Sequence, residues 1–279
     1  MKVLELFSGI GGMHYALKEA QKILPEFEFN VVRAIDISDV ANQVYKHNFP
    51  NVEVKGSNIC GLTPELLMKL QIGAIFMSPP CQPFTRQGNQ KDIGDNRSQP
   101  FLHIVQQLIP NVQSLNYILL ENVKGFEKSK AHEILVKTLS DCDFKYQEFL
   151  ICPKQLGIPN SRMRYYLIAT KNQSFKQGDE LISDLSNFAE EREMFQHKEA
   201  SLESYILLEN DPFKIDQVLL NDKVLGRHAE VFDIVQGHSK QSCCFTKAYG
   251  KYAEGTGKEN IKIGNTINLA RCTMIRLYK

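Results

Sequence analysis

The sequence predicts an α/β fold built on a doubly wound parallel sheet, and three observations carry that expectation. Over residues 1–170, short β-rich runs alternate with helical stretches, the pattern that lays helices on both faces of a parallel sheet. The first β-rich run leads straight into Phe7-Ser8-Gly9-Ile10-Gly11-Gly12 and then a helix, a glycine-rich turn of the kind that brings backbone close to a ligand. The chain has 279 residues, 43% hydrophobic and 23% charged, which suits one globular α/β domain with a smaller lobe beside it.

In chain order, strands are expected at residues 3–7, 30–35, 52–54, 74–77, 117–120, 144–151 and 165–169. Helices are expected at 12–23, 38–47, 64–70, 99–109 and 131–140. Thr63 followed by Pro64 marks a helix start, with the threonine hydroxyl as N-cap and the proline at the first helical position. Beyond residue 171 the chain turns polar and charged, with Glu190-Glu191-Arg192-Glu193 and weak periodicity. Three segments are therefore expected: 1–171, a less regular lobe at 172–257, and a C-terminal segment at 258–279.

Composition narrows the classes. No run approaches the roughly 18 apolar residues of a membrane span, and the N-terminus lacks a signal-peptide pattern, since its short apolar run carries Glu5. Seven cysteines form no C-x-x-C pair and no zinc-ligand spacing, so no metal site is expected and a reducing compartment, cytoplasm or nucleus, is. A net charge of +1 leaves nucleic-acid binding to any local basic patch.

Two regions carry candidate chemistry. The glycine turn is not G-x-G-x-x-G, so the dinucleotide fingerprint is absent. Asp36 ends the second expected strand, where a carboxylate can accept ribose hydroxyls, and Ile37 beside it can pack on an adenine face. Unaided, that aspartate reads equally as a helix N-cap. The fourth strand ends in Ser78-Pro79-Pro80-Cys81-Gln82-Pro83-Phe84, placing a thiol on a proline-stiffened loop where open α/β sheets bind ligands. A lone cysteine is otherwise usually a small buried hydrophobe. The next strand delivers Glu121-Asn122-Val123, and a carboxylate closing an apolar strand is costly without a partner.

These motifs, with Arg162-Met163-Arg164-Tyr165, come in the order found in cytosine-5 methyltransferases, and the chain resembles that family. The likeness is closest to its eukaryotic tRNA-methylating branch, through Met77–Arg86, Glu121–Glu127, Leu156–Arg162 and Cys244-Phe245-Thr246 with Glu254-Gly255-Thr256-Gly257. The resemblance implies a Rossmann-like S-adenosylmethionine-dependent methyltransferase sheet with a smaller target-recognition lobe. It implies Cys81 as nucleophile, Glu121 as the residue holding the cytosine ring, and Arg162 and Arg164 on the pyrimidine or a phosphate. It also implies a cofactor site of Phe7, Ile10, Gly11, Gly12, Asp36, Ile37, Asn58, Ile59, Ser78 and Thr266. The implied substrate is tRNA, at cytosine 38 of the aspartate tRNA, with DNA as the alternative.

The sequence departs from the family after Gly257. Where relatives continue with an aromatic-rich segment and further helices, Lys258–Ile263 runs directly into Gly264-Asn265-Thr266, the opening of the final family motif. On the order of sixty residues are absent, judged by the family and by what a small lobe needs to bury a core. That loss implies an alternative in which the chain binds RNA or cofactor with impaired catalysis.

Overall fold

The computed structural model describes residues 1–26, 28–80, 98–175, 180–188, 201–205 and 235–243. The strands are β1 (Lys2–Leu6), β2 (Asn30–Ile35), β3 (Glu53–Lys55), β4 (Ile72–Met77), β5 (Tyr117–Val123), β6 (Lys145–Ile151) and β7 (Arg164–Thr170). The helices are α1 (Gly12–Ile23), α2 (Asp39–Asn48), α3 (Pro64–Leu70), α4 (Gln99–His103), α5 (Ile109–Asn111) and α6 (Lys130–Asp141). One seven-stranded sheet has the order β3-β2-β1-β4-β5-β7-β6.

The sheet is not wholly parallel, which corrects the expectation. β1 to β5 run parallel, but β7 lies antiparallel between β5 and β6. A parallel neighbour for β5 would need a crossover; a strand returning from β6 pairs antiparallel with both neighbours at once. The strand that periodicity cannot orient is therefore the one that departs from the pattern. The free edge of β6 is partly covered: Leu150 N–H donates to the Ile182 carbonyl at 2.8 Å, and Ile182 N–H to that of Glu148 at 2.9 Å.

Every residue of β4 is buried, as a central strand with both faces covered requires, and Ile75 and Met77 join Leu4, Leu6, Phe101, Phe126 and Leu167 in the main core. Thr63 caps α3 as expected, its hydroxyl accepting from the Leu66 amide at 3.3 Å. The helix expected at 99–109 is interrupted: between α4 and α5 the turn Ile104–Leu108 widens to a π-helix. Pro110 is the physical cause, since its ring opposes the carbonyl four residues back and it offers no N–H.

Two compact units emerge, Met1–Ile151 with Arg164–Asp184, and Cys152–Met163 with Leu185–Lys279. In the second, Ser161 N–H donates to the Ser242 carbonyl at 2.9 Å, and the Ser242 hydroxyl to the Pro159 carbonyl at 3.1 Å. Among the described residues, no helix is long and apolar enough to cross a membrane.

Candidate active site

In the first unit, strand order reverses between β1 and β4, so their carboxyl ends flank the topological switch point where open α/β sheets bind ligands. Backbone hydrogen bonds tie the loops there: Ser78 N–H donates to the Leu6 carbonyl at 3.3 Å, and Ser8 N–H to that of Ile35 at 3.2 Å. The glycine turn and the Ser78-Pro79-Pro80 segment thus leave adjacent strands side by side.

The glycine turn is built on left-handed backbone. Phe7 has φ 53°, Gly9 52° and Gly11 93°. Phe7 is the unexpected member, because a side chain in this region costs on the order of 1–3 kcal/mol and persists only where neighbours impose it. Gly11 is required twice over, by its φ and because a Cβ there would lie 2.5 Å from Phe49 Cε2. Gly12 opens α1 with nothing within 4 Å of a Cβ position, and Ile10 is 42% exposed.

Asp36 knits this turn to the end of β2. Its Oδ2 accepts from Gly9 N–H at 2.9 Å and its Oδ1 from Ser38 N–H at 2.8 Å. Each oxygen keeps a further lone pair, so hydroxyl acceptance remains open to it. Ile37 is 84% exposed, an apolar side chain with almost no protein against it. Open glycines, a bare isoleucine and a carboxylate with spare acceptors suit a ligand with hydroxyls and a flat apolar ring. Asn58 is exposed and caps a short turn, its Oδ1 accepting from Cys60 N–H at 3.0 Å, whereas the Ile59 side chain is buried in the main core. Ser78 is half-buried. Cys81 and Thr266 lie outside the described residues.

β5 runs on to Val123, three residues beyond the expected end, so Glu121 lies within a strand and opposite Tyr166 of β7. Arg164 stands opposite Val123 on the same face, diagonal to the glutamate, and its Nε lies 3.2 Å from Glu121 Oε1. The Arg164 and Glu121 side chains are 20% and 25% exposed, respectively, so the carboxylate that the sequence left without a partner has one, at the edge of solvent. Arg162 is exposed and belongs to the second unit. Sequence reasoning passed over Asn122, which points to the opposite face and is 1% exposed. Its Nδ2 donates to the Pro79 carbonyl in a long 3.4 Å contact, linking β5 to the residues just before Cys81. The signal was present: a buried amide next to a strand glutamate must find a partner.

A strand glutamate held by an arginine stands near the carboxyl end of β5, and a glycine turn tied to a carboxylate with spare acceptors stands at the carboxyl ends of β1 and β2, beside the switch point. The profile of the C-5 cytosine-specific DNA methylase family matches residues 1–273. The chain belongs to that family. Within the methylase family it is 47% identical over 260 residues to a Spodoptera frugiperda protein named tRNA (cytosine(38)-C(5))-methyltransferase, covering 92% of this chain and 73% of that one. A human protein of the same name is 39% identical over 321 positions, covering 95% of this chain and 81% of its own. The crystal structure of a Spodoptera frugiperda DNMT2 mutant superimposes with a TM-score of 0.76 at 45% identity, covering 91% of this chain and 72% of that one.

The two alignments differ in how many positions lack a counterpart in this chain. The insect alignment spends 260 positions on 92% of 279 residues, about 257, and is almost free of gaps. The human alignment spends 321 positions on 95%, about 265 residues, so about 56 of its positions have no counterpart here.

Proposed function

We propose that the chain transfers a methyl group from S-adenosylmethionine to C5 of cytosine in tRNA, at position 38, in the cytoplasm or nucleus. The observation that carries this reading is the likeness, at 39–47% identity over more than nine-tenths of the chain, to proteins named for that reaction. The family description names DNA, and duplex DNA is the second reading.

Cytosine C5 is too weak a nucleophile to take a methyl group unaided. The Cys81 thiolate adds to C6, forming a C–S bond and moving the ring electrons toward C5. Glu121 holds N3 and the exocyclic amino group and favours the protonated ring, which absorbs the charge as the thiolate adds. Arg164 keeps that carboxylate aimed, and Arg162 meets the pyrimidine or a phosphate. S-adenosylmethionine, when bound, supplies the electrophilic methyl group. A base then removes the C5 proton, the C5–C6 double bond reforms and the Cys81 thiolate leaves. The target base must be out of its stack throughout. Phe7, Ile10, Gly11, Gly12, Asp36, Ile37, Asn58, Ile59, Ser78 and Thr266 are the residues assigned to the cofactor: Asp36 takes ribose hydroxyls and Ile37 covers the adenine.

The test is Cys81→Ala, which abolishes methyl transfer and leaves S-adenosylmethionine binding near wild type, because the thiol serves the cytosine. RNA carrying 5-fluorocytosine at the target traps a covalent complex with the wild-type protein, since fluorine cannot leave as a proton. An adduct mapped to another cysteine overturns the nucleophile. Binding of tRNA weakens as salt rises, and turnover of duplex DNA equal to that of matched tRNA transfers the assignment to DNA.

A further inference from the structure

Glu5 is a glutamate in the middle of an apolar strand, 1% exposed, and no step of the reaction uses it. Its Oε2 accepts the Tyr45 hydroxyl at 2.6 Å, and the His14 backbone amide also donates to its carboxyl. Tyr45 in turn lies 2.9 Å from His14 Nδ1. The tyrosine has a single proton and gives it to the carboxylate, so the histidine must be the donor in that contact, with its proton on Nδ1. Burial, helped by the Lys18 charge, pushes the His14 pKa down to about 4, which keeps the ring neutral at physiological pH.

The three residues join three elements around the glycine turn. Glu5 is on β1, two residues before the left-handed Phe7; His14 is in the first turn of α1; Tyr45 is on α2. The N-cap of α1 is Gly11, which has no side chain, and the first turn carries no acidic residue, so α1 lacks any local cap. The Glu5 carboxyl supplies that missing acceptor from the neighbouring strand. Tyr45 and Phe49 form the floor beneath Gly11, where an added Cβ would meet both rings, and the His14 ring stacks on Phe49 with centroids 3.8 Å apart and planes 9° apart. The turn is therefore seated on an aromatic floor whose polar pins are Glu5, Tyr45 and His14.

We infer that Glu5, Tyr45 and His14 are positioning residues that pre-set the glycine turn for the methyl donor, so that their hydrogen bonds determine cofactor affinity without touching the cytosine chemistry. The inference rests on the assignment of that turn to S-adenosylmethionine. A turn held in unfavourable backbone by its surroundings binds tightly because its ordering does not have to occur on binding.

The experiment uses Tyr45→Phe, which keeps the ring over Gly11 and deletes only the hydroxyl, and His14→Phe, which keeps the stack on Phe49 and deletes the Nδ1 donor. Tyr45→Phe is expected to raise the KM and Kd for S-adenosylmethionine about tenfold, with kcat at saturating cofactor within about twofold and tRNA affinity unchanged. His14→Phe shifts them about threefold in the same direction. In ligand-free protein, hydrogen exchange at the amides of residues 9–14 quickens in both variants, a readout independent of catalysis. Variants that bind the cofactor like wild type, or that lose kcat with KM unchanged, overturn the inference. Should Tyr45→Phe not fold, His14→Phe decides it alone. Wild-type protein that fails to bind S-adenosylmethionine sinks the cofactor assignment itself, and the inference with it.

Discussion

Arg164→Ala separates orientation from stability at the paired strands β5 and β7. Arg164 Nε lies 3.2 Å from Glu121 Oε1, and two unit charges at that distance attract by about 5 kcal/mol at an effective dielectric of 20. Both side chains retain contact with solvent, so desolvation and side-chain ordering cancel most of this, and the net contribution to folding is about 1 kcal/mol or less. Loss of the arginine should therefore lower the melting temperature by only about 2–4 °C for a protein of this size. The catalytic effect is larger, because a carboxylate misplaced by an ångström in a covalent mechanism costs on the order of 100-fold, equivalent to about 2.7 kcal/mol in the barrier. Arg164→Lys keeps the charge but not the directed N–H fork, and falls between, about tenfold down. Thermal melts paired with single-turnover methyl incorporation measure the two effects separately. A variant that methylates at the wild-type rate, or one whose activity falls only in proportion to a collapse in melting temperature, would refute the argument that Arg164 aims Glu121.

Two further outcomes concern Glu5 and the C-terminal region. Burial pushes the Glu5 pKa up to about 7 from an ordinary 4.5, the hydrogen bonds from Tyr45 and the His14 amide only partly opposing it. A raised carboxyl pKa stabilises the fold fully below about 4.5 and loses that contribution as pH climbs through 7. Urea unfolding across this range should show wild-type protein losing on the order of 1–3 kcal/mol relative to Glu5→Gln, and a difference independent of pH excludes the assignment. Inserting the corresponding segment of a full-length family member between Gly257 and Gly264 should raise both melting temperature and cofactor affinity, since losing a few hundred Å2 of apolar burial costs several kcal/mol. A chain that without it already melts cooperatively and methylates tRNA like a full-length relative shows the segment to be dispensable.

Local pattern made much of the fold legible. α1, α3 and β2 stand at their expected bounds, and Thr63 caps α3 as its position before a proline requires. These features depend on periodicity and on bonds between residues a few positions apart, which sequence records directly. Ordered motifs named the family, and the family profile matches residues 1–273. The placement of Asp36 at the end of β2 was equally readable, but not that it would hold the Gly9 amide while Ile37 stood bare.

Sequence alone determined, then, the alternation of strands and helices, the glycine turn, and the order in which cysteine, glutamate and arginine motifs occur along the chain. Tertiary structure decided which strands became neighbours. Only the antiparallel insertion of β7 beside β5 brings Arg164 diagonal to Glu121, residues 43 positions apart in number but adjacent on one face. Only the tertiary fold brings Tyr45 of α2 and the His14 amide of α1 to Glu5, giving partners to an apparent flaw in an apolar strand. Such pairings are set by which surfaces bury together, a sum over the whole core that leaves no periodic trace in the segments it joins.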